Sequence, residues 1–177
     1  ASLAGGDGAL RARVVRIHLA HHKSLVTPTG QCDGNDFLGA DTDGYARAGE
    51  ALLETGVTAY LPTFITSEEA DLVAALAGVR SSPGGPRVLG AHLEGPFISP
   101  RRLGTHPSAA RRDPDLVLLE RLLGAGQVRL MTLAPELPGA VGLVDALVAR
   151  GVTVSCGHTD ATAAEAELAF DHGAATV

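Results

Sequence analysis

The stretch RVLGAHLEGPFISP, Arg87 to Pro100, decides how this chain is to be read. Its first half, RVLGAHL, is apolar and β-prone and predicts a strand. The strand ends on a carboxylate, Glu94. Gly95 and Pro96 follow at once and turn the chain away. An acidic side chain at the carboxyl end of a buried strand faces the mouth of a parallel sheet, where a cation or substrate can meet it. For one glutamate taken alone, a capping or loop-pairing role is the plainer reading.

Working outward, the same pattern repeats. GYARAGEALLET (Gly44 to Thr55) carries Ala and Leu at helical spacing, with Gly56 placed as a left-handed stop. VTAYLP (Val57 to Pro62) predicts a strand, and Thr66 with Glu69 predicts a capping box opening a helix over Ala70 to Val79. SSPGGP (Ser81 to Pro86) is a loop. Asp113 and Pro114 predict a cap and first-turn proline for a helix to about Leu123. VRLMTL (Val128 to Leu133) is the next strand, and Ala140 to Arg150 the next helix. VTVSC (Val152 to Cys156) is a strand, and Asp160 is expected to cap a last helix ending near Asp171.

Repeated βα units with apolar strands imply an α/β fold with a parallel sheet covered by helices. Alternation alone leaves a doubly wound sheet and a barrel both open. The polar residues favour the barrel: Thr63, Glu94, Pro135 with Glu136, and His158 each follow a strand, and no phosphate-loop motif is present. Four strands are evident and a fifth begins at Ala174, whereas a closed barrel needs eight and about 250 residues. The expectation is a partial (β/α)8 TIM-type barrel over 41–177, with its C-terminal strands missing. Residues 1–40 match no recognisable domain.

Bulk properties narrow the function. A formal net charge of -6 over 177 residues argues against nucleic-acid binding. No apolar run is long enough to span a membrane, and Cys32 and Cys156 lack metal or redox spacing, which suits a reducing, cytoplasmic setting. His158 follows a strand and precedes a helix, a position from which an imidazole can ligate a metal; a solvated loop histidine is the plainer reading of it alone. Glu94 and His158 at equivalent strand ends make a metal site about an even proposition.

Four blocks in order carry a resemblance: GVTAYLPTFIT (Gly56 to Thr66), HLEGPF with GTHP (His92 to Pro107), TLAPE (Thr132 to Glu136) and VSCGHTDAT (Val154 to Thr162). Over roughly Asp36 to Val177 the chain resembles the N-acetylglucosamine-6-phosphate deacetylase family of metal-dependent amidohydrolase barrels. The resemblance implies Glu94 and His158 as metal ligands, and Thr105 and His106 as contacts to the substrate sugar. It implies one divalent ion, zinc or iron, which activates water and polarises the amide carbonyl. It implies hydrolysis of the N-acetyl group of N-acetylglucosamine 6-phosphate to glucosamine 6-phosphate and acetate. The partner is thus a small molecule, and the full-length family is commonly homodimeric.

By the same resemblance no catalytic residue is expected here, because the family's aspartate base and second metal-binding histidine lie beyond Val177. This chain alone is then expected to be inactive. The competing readings are a non-catalytic short product binding metal or sugar phosphate, and another amidohydrolase. His18, His21 and His22 form a tempting cluster, but their spacing differs from the H-x-H of amidohydrolases. His92 is expected as a packed, hydrogen-bonded histidine beside the site, and Asp160 as a cap.

Overall fold

The computed structural model describes residues 15–17 and 42–177, so His18, His21, His22 and Cys32 lie outside the described residues. Five helices and six strands follow along them, alternating except where β3 leads directly into β4. The strands are β1 (Val15–Ile17), β2 (Ala59–Ile65), β3 (Arg87–Val88), β4 (Ala91–Glu94), β5 (Val128–Leu133) and β6 (Thr153–Cys156). The helices are α1 (Thr42–Glu54), α2 (Glu69–Gly78), α3 (Leu116–Ala125), α4 (Ala140–Ala149) and α5 (Ala163–Asp171).

Every strand pairing is parallel, in the order β1-β2-β4-β5-β6, with β3 beside β2. After β6, Thr176 bridges to Ser155 in the same parallel sense, where a further strand was expected. Sequential parallel strands with intervening helices are one arc of a (β/α) barrel, as the sequence predicts. β1 is an element that the sequence reading did not place.

Burial on both faces explains the near-continuous apolar strands. All residues of β2 and β4 are buried. One strand face packs under the helices through Phe64, Leu93, Met131, Leu133 and Val154, which join the core with Leu72, Leu76, Leu119, Leu122, Leu143 and Leu147. Burying each such leucine contributes about 1.5–3 kcal/mol. α2 lies against α3, α3 against α4, and α4 against α5. No helix among the described residues is long and apolar enough to cross a membrane.

The opposite face of the strands is polar at its upper end. Residues two apart share a face, so His92 and Glu94 on β4 point the same way. His92 is fully buried between two neighbouring strands. Its Nδ1 hydrogen-bonds the Thr63 hydroxyl of β2 at 3.0 Å and its Nε2 the Thr132 hydroxyl of β5 at 2.9 Å. The packed, hydrogen-bonded histidine expected there is what the fold contains.

Several local expectations were displaced by longer-range contacts. β2 runs through Thr63 to Ile65, so Thr63 sits inside a strand rather than after it. Arg87 to Leu93 is broken at Leu89-Gly90 into β3 and β4. Thr66 does not cap α2: its hydroxyl donates to the Glu94 carbonyl at 3.3 Å, and the N-cap position of α2 is Glu68, which makes no side-chain cap. Asp115, not Asp113, caps α3, accepting from the amides of Val117 and Leu118. Thr162 caps α5 in a capping box with Glu165, which leaves Asp160 for ion pairs. Gly56, at φ +79°, is the left-handed stop after α1 that the sequence predicts.

Candidate metal centre

Three side chains converge at the carboxyl ends of the strands. Glu94 is the last residue of β4, His106 lies in the loop after it, and His158 follows β6. Each offers one ligand atom, and the three atoms lie within 4.8 Å of one another. The His158 Nε2 is 2.8 Å from Glu94 Oε1, and the His106 Nε2 is 4.0 Å from Glu94 Oε2. The two imidazole rings tilt against each other with centroids 4.3 Å apart.

Glu94 reaches the mouth because the chain leaves β4 abruptly. Gly95 has φ +84°, and a Cβ there would come within 2.1 Å of Thr66 Oγ1. Only glycine meets both demands, positive φ and closeness to Thr66. The following loop then folds back over the strand ends and carries His106 down to 5% exposure. Thr66 anchors that ring: its hydroxyl is 2.9 Å and its amide 3.3 Å from His106 Nδ1. Nε2 is left to face the Glu94 carboxylate.

His158 is held differently. Its Nδ1 lies 3.0 Å from the Arg102 carbonyl, which can only accept, so Nδ1 carries a proton and Nε2 is the nitrogen presented to Glu94. Such an outer hydrogen bond orients a ligating imidazole. The backbone at His158 has φ +49°, the left-handed region that costs a non-glycine residue about 1–2 kcal/mol. Neighbours offset that cost: Ser99 donates its amide to the His158 carbonyl at 2.9 Å. The next two residues are bound by Glu136, whose carboxylate accepts from the Thr159 hydroxyl and from the Asp160 amide. Burial pulls the Glu136 carboxyl upward. Hydrogen bonds from Thr159, the Asp160 amide, its own amide and Ser99 outweigh burial and hold it below the usual carboxylate range.

The Glu94 carboxylate and the His158 Nε2 are donors that suit a borderline divalent cation. The Thr66 amide, by contrast, donates to His106 Nδ1, so the neutral His106 ring carries its proton on Nε2. The contact between His158 and Glu94 needs a shared positive charge, a proton or an ion between nitrogen and oxygen. The donors therefore fit such an ion. The two residues expected as ligands, Glu94 and His158, are brought together. His106, expected as a sugar contact, joins the same cluster, while Thr105 beside it is exposed. The sequence reading gave Thr66 only a helix-capping role, which the structure overturns, and gave Glu136 no role in the site. The position of Glu136 after β5 was the available signal.

No family model matches the chain. It is similar to the N-acetylglucosamine-6-phosphate deacetylase of Danio rerio, 38% identical over 151 residues, covering 80% of this chain and 37% of that protein. It is similar also to the N-acetylgalactosamine-6-phosphate deacetylase of Escherichia coli O157:H7, 38% identical over 125 residues, covering 67% of this chain and 33% of that one. Among solved structures it superposes on the N-acetyl-D-glucosamine-6-phosphate deacetylase of Mycobacterium smegmatis, a mutant in complex with N-acetyl-D-glucosamine-6-phosphate. That match has a TM-score of 0.73 and 37% identity, covering 78% of this chain and 37% of the solved chain. The chain thus spans just over a third of the length of the relatives it matches.

Proposed function

We propose that this chain, homologous to the N-acetylglucosamine-6-phosphate deacetylases over about 37% of their length, supplies the ion-facing part of such an enzyme. The reaction is hydrolysis of the acetamide of N-acetylglucosamine 6-phosphate: water adds across the C–N bond, releasing acetate and glucosamine 6-phosphate. The observation that carries this reading is the convergence of Glu94, His106 and His158 at the strand ends.

Glu94 and His158 would hold one divalent ion, zinc or iron. When bound, the ion polarises the amide carbonyl and acidifies water. His106, anchored by Thr66 with Nε2 facing the same point, orients the acetamide; Thr105, exposed at the loop surface, contacts the sugar. Glu94 is the only carboxylate in the cluster among the described residues. Glu136 and Asp160 are engaged by Thr159 and the arginines. The resemblance implies that the carboxylate moving the proton from water to the leaving amine is an aspartate on a later strand, in the part of the relatives' length that this chain does not span. A cytoplasmic setting accords with Cys156, a buried free thiol.

The Escherichia coli relative acts, by its name, on the galactosamine epimer and is equally similar in identity. Both epimers therefore enter the test. Residues 56–177 replace the corresponding stretch of a full-length deacetylase, and acetate release is followed with each sugar phosphate. Metal-dependent release is expected from the chimera. A chimera that folds and binds zinc yet releases no acetate from either sugar sinks the assignment.

A further inference from the structure

His158 is the one non-glycine residue with positive φ among the described residues. Histidine tolerates that backbone better than most residues, yet it still costs free energy, and the contacts around the turn hold it there. These contacts form a closed ring. Glu136, on the loop after β5, grips the Thr159 hydroxyl with one carboxylate oxygen and the Asp160 amide with the other, the latter at 2.8 Å. Asp160 in turn receives the guanidinium groups of Arg101 and Arg102. The Arg102 carbonyl returns to His158 Nδ1, and the Ser99 amide to the His158 carbonyl. Loops following β4, β5 and β6 are thereby tied at one point. The two atoms that fix the ring plane and the backbone of His158 belong to the loop that carries Arg102.

We infer that Glu136 is a positioning residue: by clasping Thr159 and Asp160 it keeps His158 in its left-handed turn, with Nε2 aimed at Glu94. The inference rests on the reading of His158 as a metal ligand for its functional meaning. The conformation it describes exists with or without an ion. Glu136 itself makes no contact with the cluster. Its carboxylate is the acceptor that two successive donors share, so loss of one oxygen releases the turn on one side. Outer hydrogen-bond partners of this kind change metal affinity by about 10- to 100-fold.

The test compares the 177-residue chain with Glu136→Gln, Glu136→Ala and Thr159→Val. Glu120→Gln, which breaks only the exposed pair with Arg150, is the control. Cobalt affinity and the visible cobalt spectrum are read by titration. The His158 Nδ1 proton is read by NMR in metal-free protein, and thermal midpoints check folding. The expected result is cobalt binding weakened about 10-fold or more in Glu136→Gln, with an altered spectrum. Faster solvent exchange of the Nδ1 proton is expected too. Thr159→Val should move the same way by less, and the control not at all. A purely structural role would lower the midpoint and leave cobalt affinity and Nδ1 exchange of the folded protein unchanged. That outcome in Glu136→Gln and Thr159→Val overturns the inference. Should the unsubstituted chain bind no cobalt, the metal reading fails, and Nδ1 exchange alone decides the role of Glu136.

Discussion

The Nε2 of His158, on the loop after β6, meets Oε1 of Glu94, at the end of β4, at 2.8 Å although β5 lies between their strands. Strands two apart in a sheet are separated by about 9.5 Å. The two side chains span that distance by reaching toward each other over the end of β5. It also makes the pair the natural target for substitution.

Glu94→Gln and His158→Gln should each weaken cobalt or zinc binding by more than about 100-fold, beyond the range of an outer partner. Calorimetric titration measures it. Retention of near-normal affinity by either variant would remove that residue from the ligand set.

His106→Ala should keep cobalt binding within about 10-fold while weakening binding of N-acetylglucosamine 6-phosphate in the chimera described above. The ring's Nε2 is 4.0 Å from Glu94, against 2.8 Å for His158, so it stands back from the ion position. Loss of the ion in His106→Ala would instead make His106 the third ligand.

His92→Leu tests the hydrogen-bonded belt beneath the site. The leucine strands two buried hydroxyls, Thr63 and Thr132, that now bond the ring. A buried polar group left unmatched costs about 1–3 kcal/mol. Denaturant unfolding should show a loss of about 2 kcal/mol or more, and equal stability would mean that the hydroxyls find other partners.

The Glu136 clamp has a defined pH response. Its folded pKa is depressed, so its contribution to stability is fully present above the unfolded glutamate value, about 4.3. It is lost as pH falls through the lower folded value. The stability difference between the unsubstituted chain and Glu136→Gln should therefore be flat above about pH 5 and shrink on acidification. Denaturant curves across pH 3 to 7 measure it; a difference that grows as pH falls contradicts the assigned direction.

The strands were legible because parallel strands buried on both faces read as unbroken apolar runs, as Val128 to Leu133 does. Glu94 and His158 were legible because each stands where such a run stops. What the sequence hid were competitions for single side chains. Thr66 with Glu69 has capping-box spacing, but Thr66 is taken by His106 and the Glu94 carbonyl from another loop. Asp160 precedes a helix, yet two arginines 58 and 59 residues earlier take its carboxylate. His106 looks like a loop histidine because its burial depends on the loop folding back over β2. Local patterns carry no record of such distant partners.

The order of the strands along the chain has a kinetic consequence. β4 pairs with β2, β5 with β4 and β6 with β5, so each finds its partner among strands already made. Glu94, His106 and His158 arrive in that same order, with 64 positions between first and last. Glu94 is made first and meets His158 only after β5 and β6 have docked, each on an edge already formed. Each parallel pairing closes a loop the length of a βα unit, which is slower than closing a hairpin. The ion-facing cluster is therefore completed last, when β6 brings His158 to Glu94.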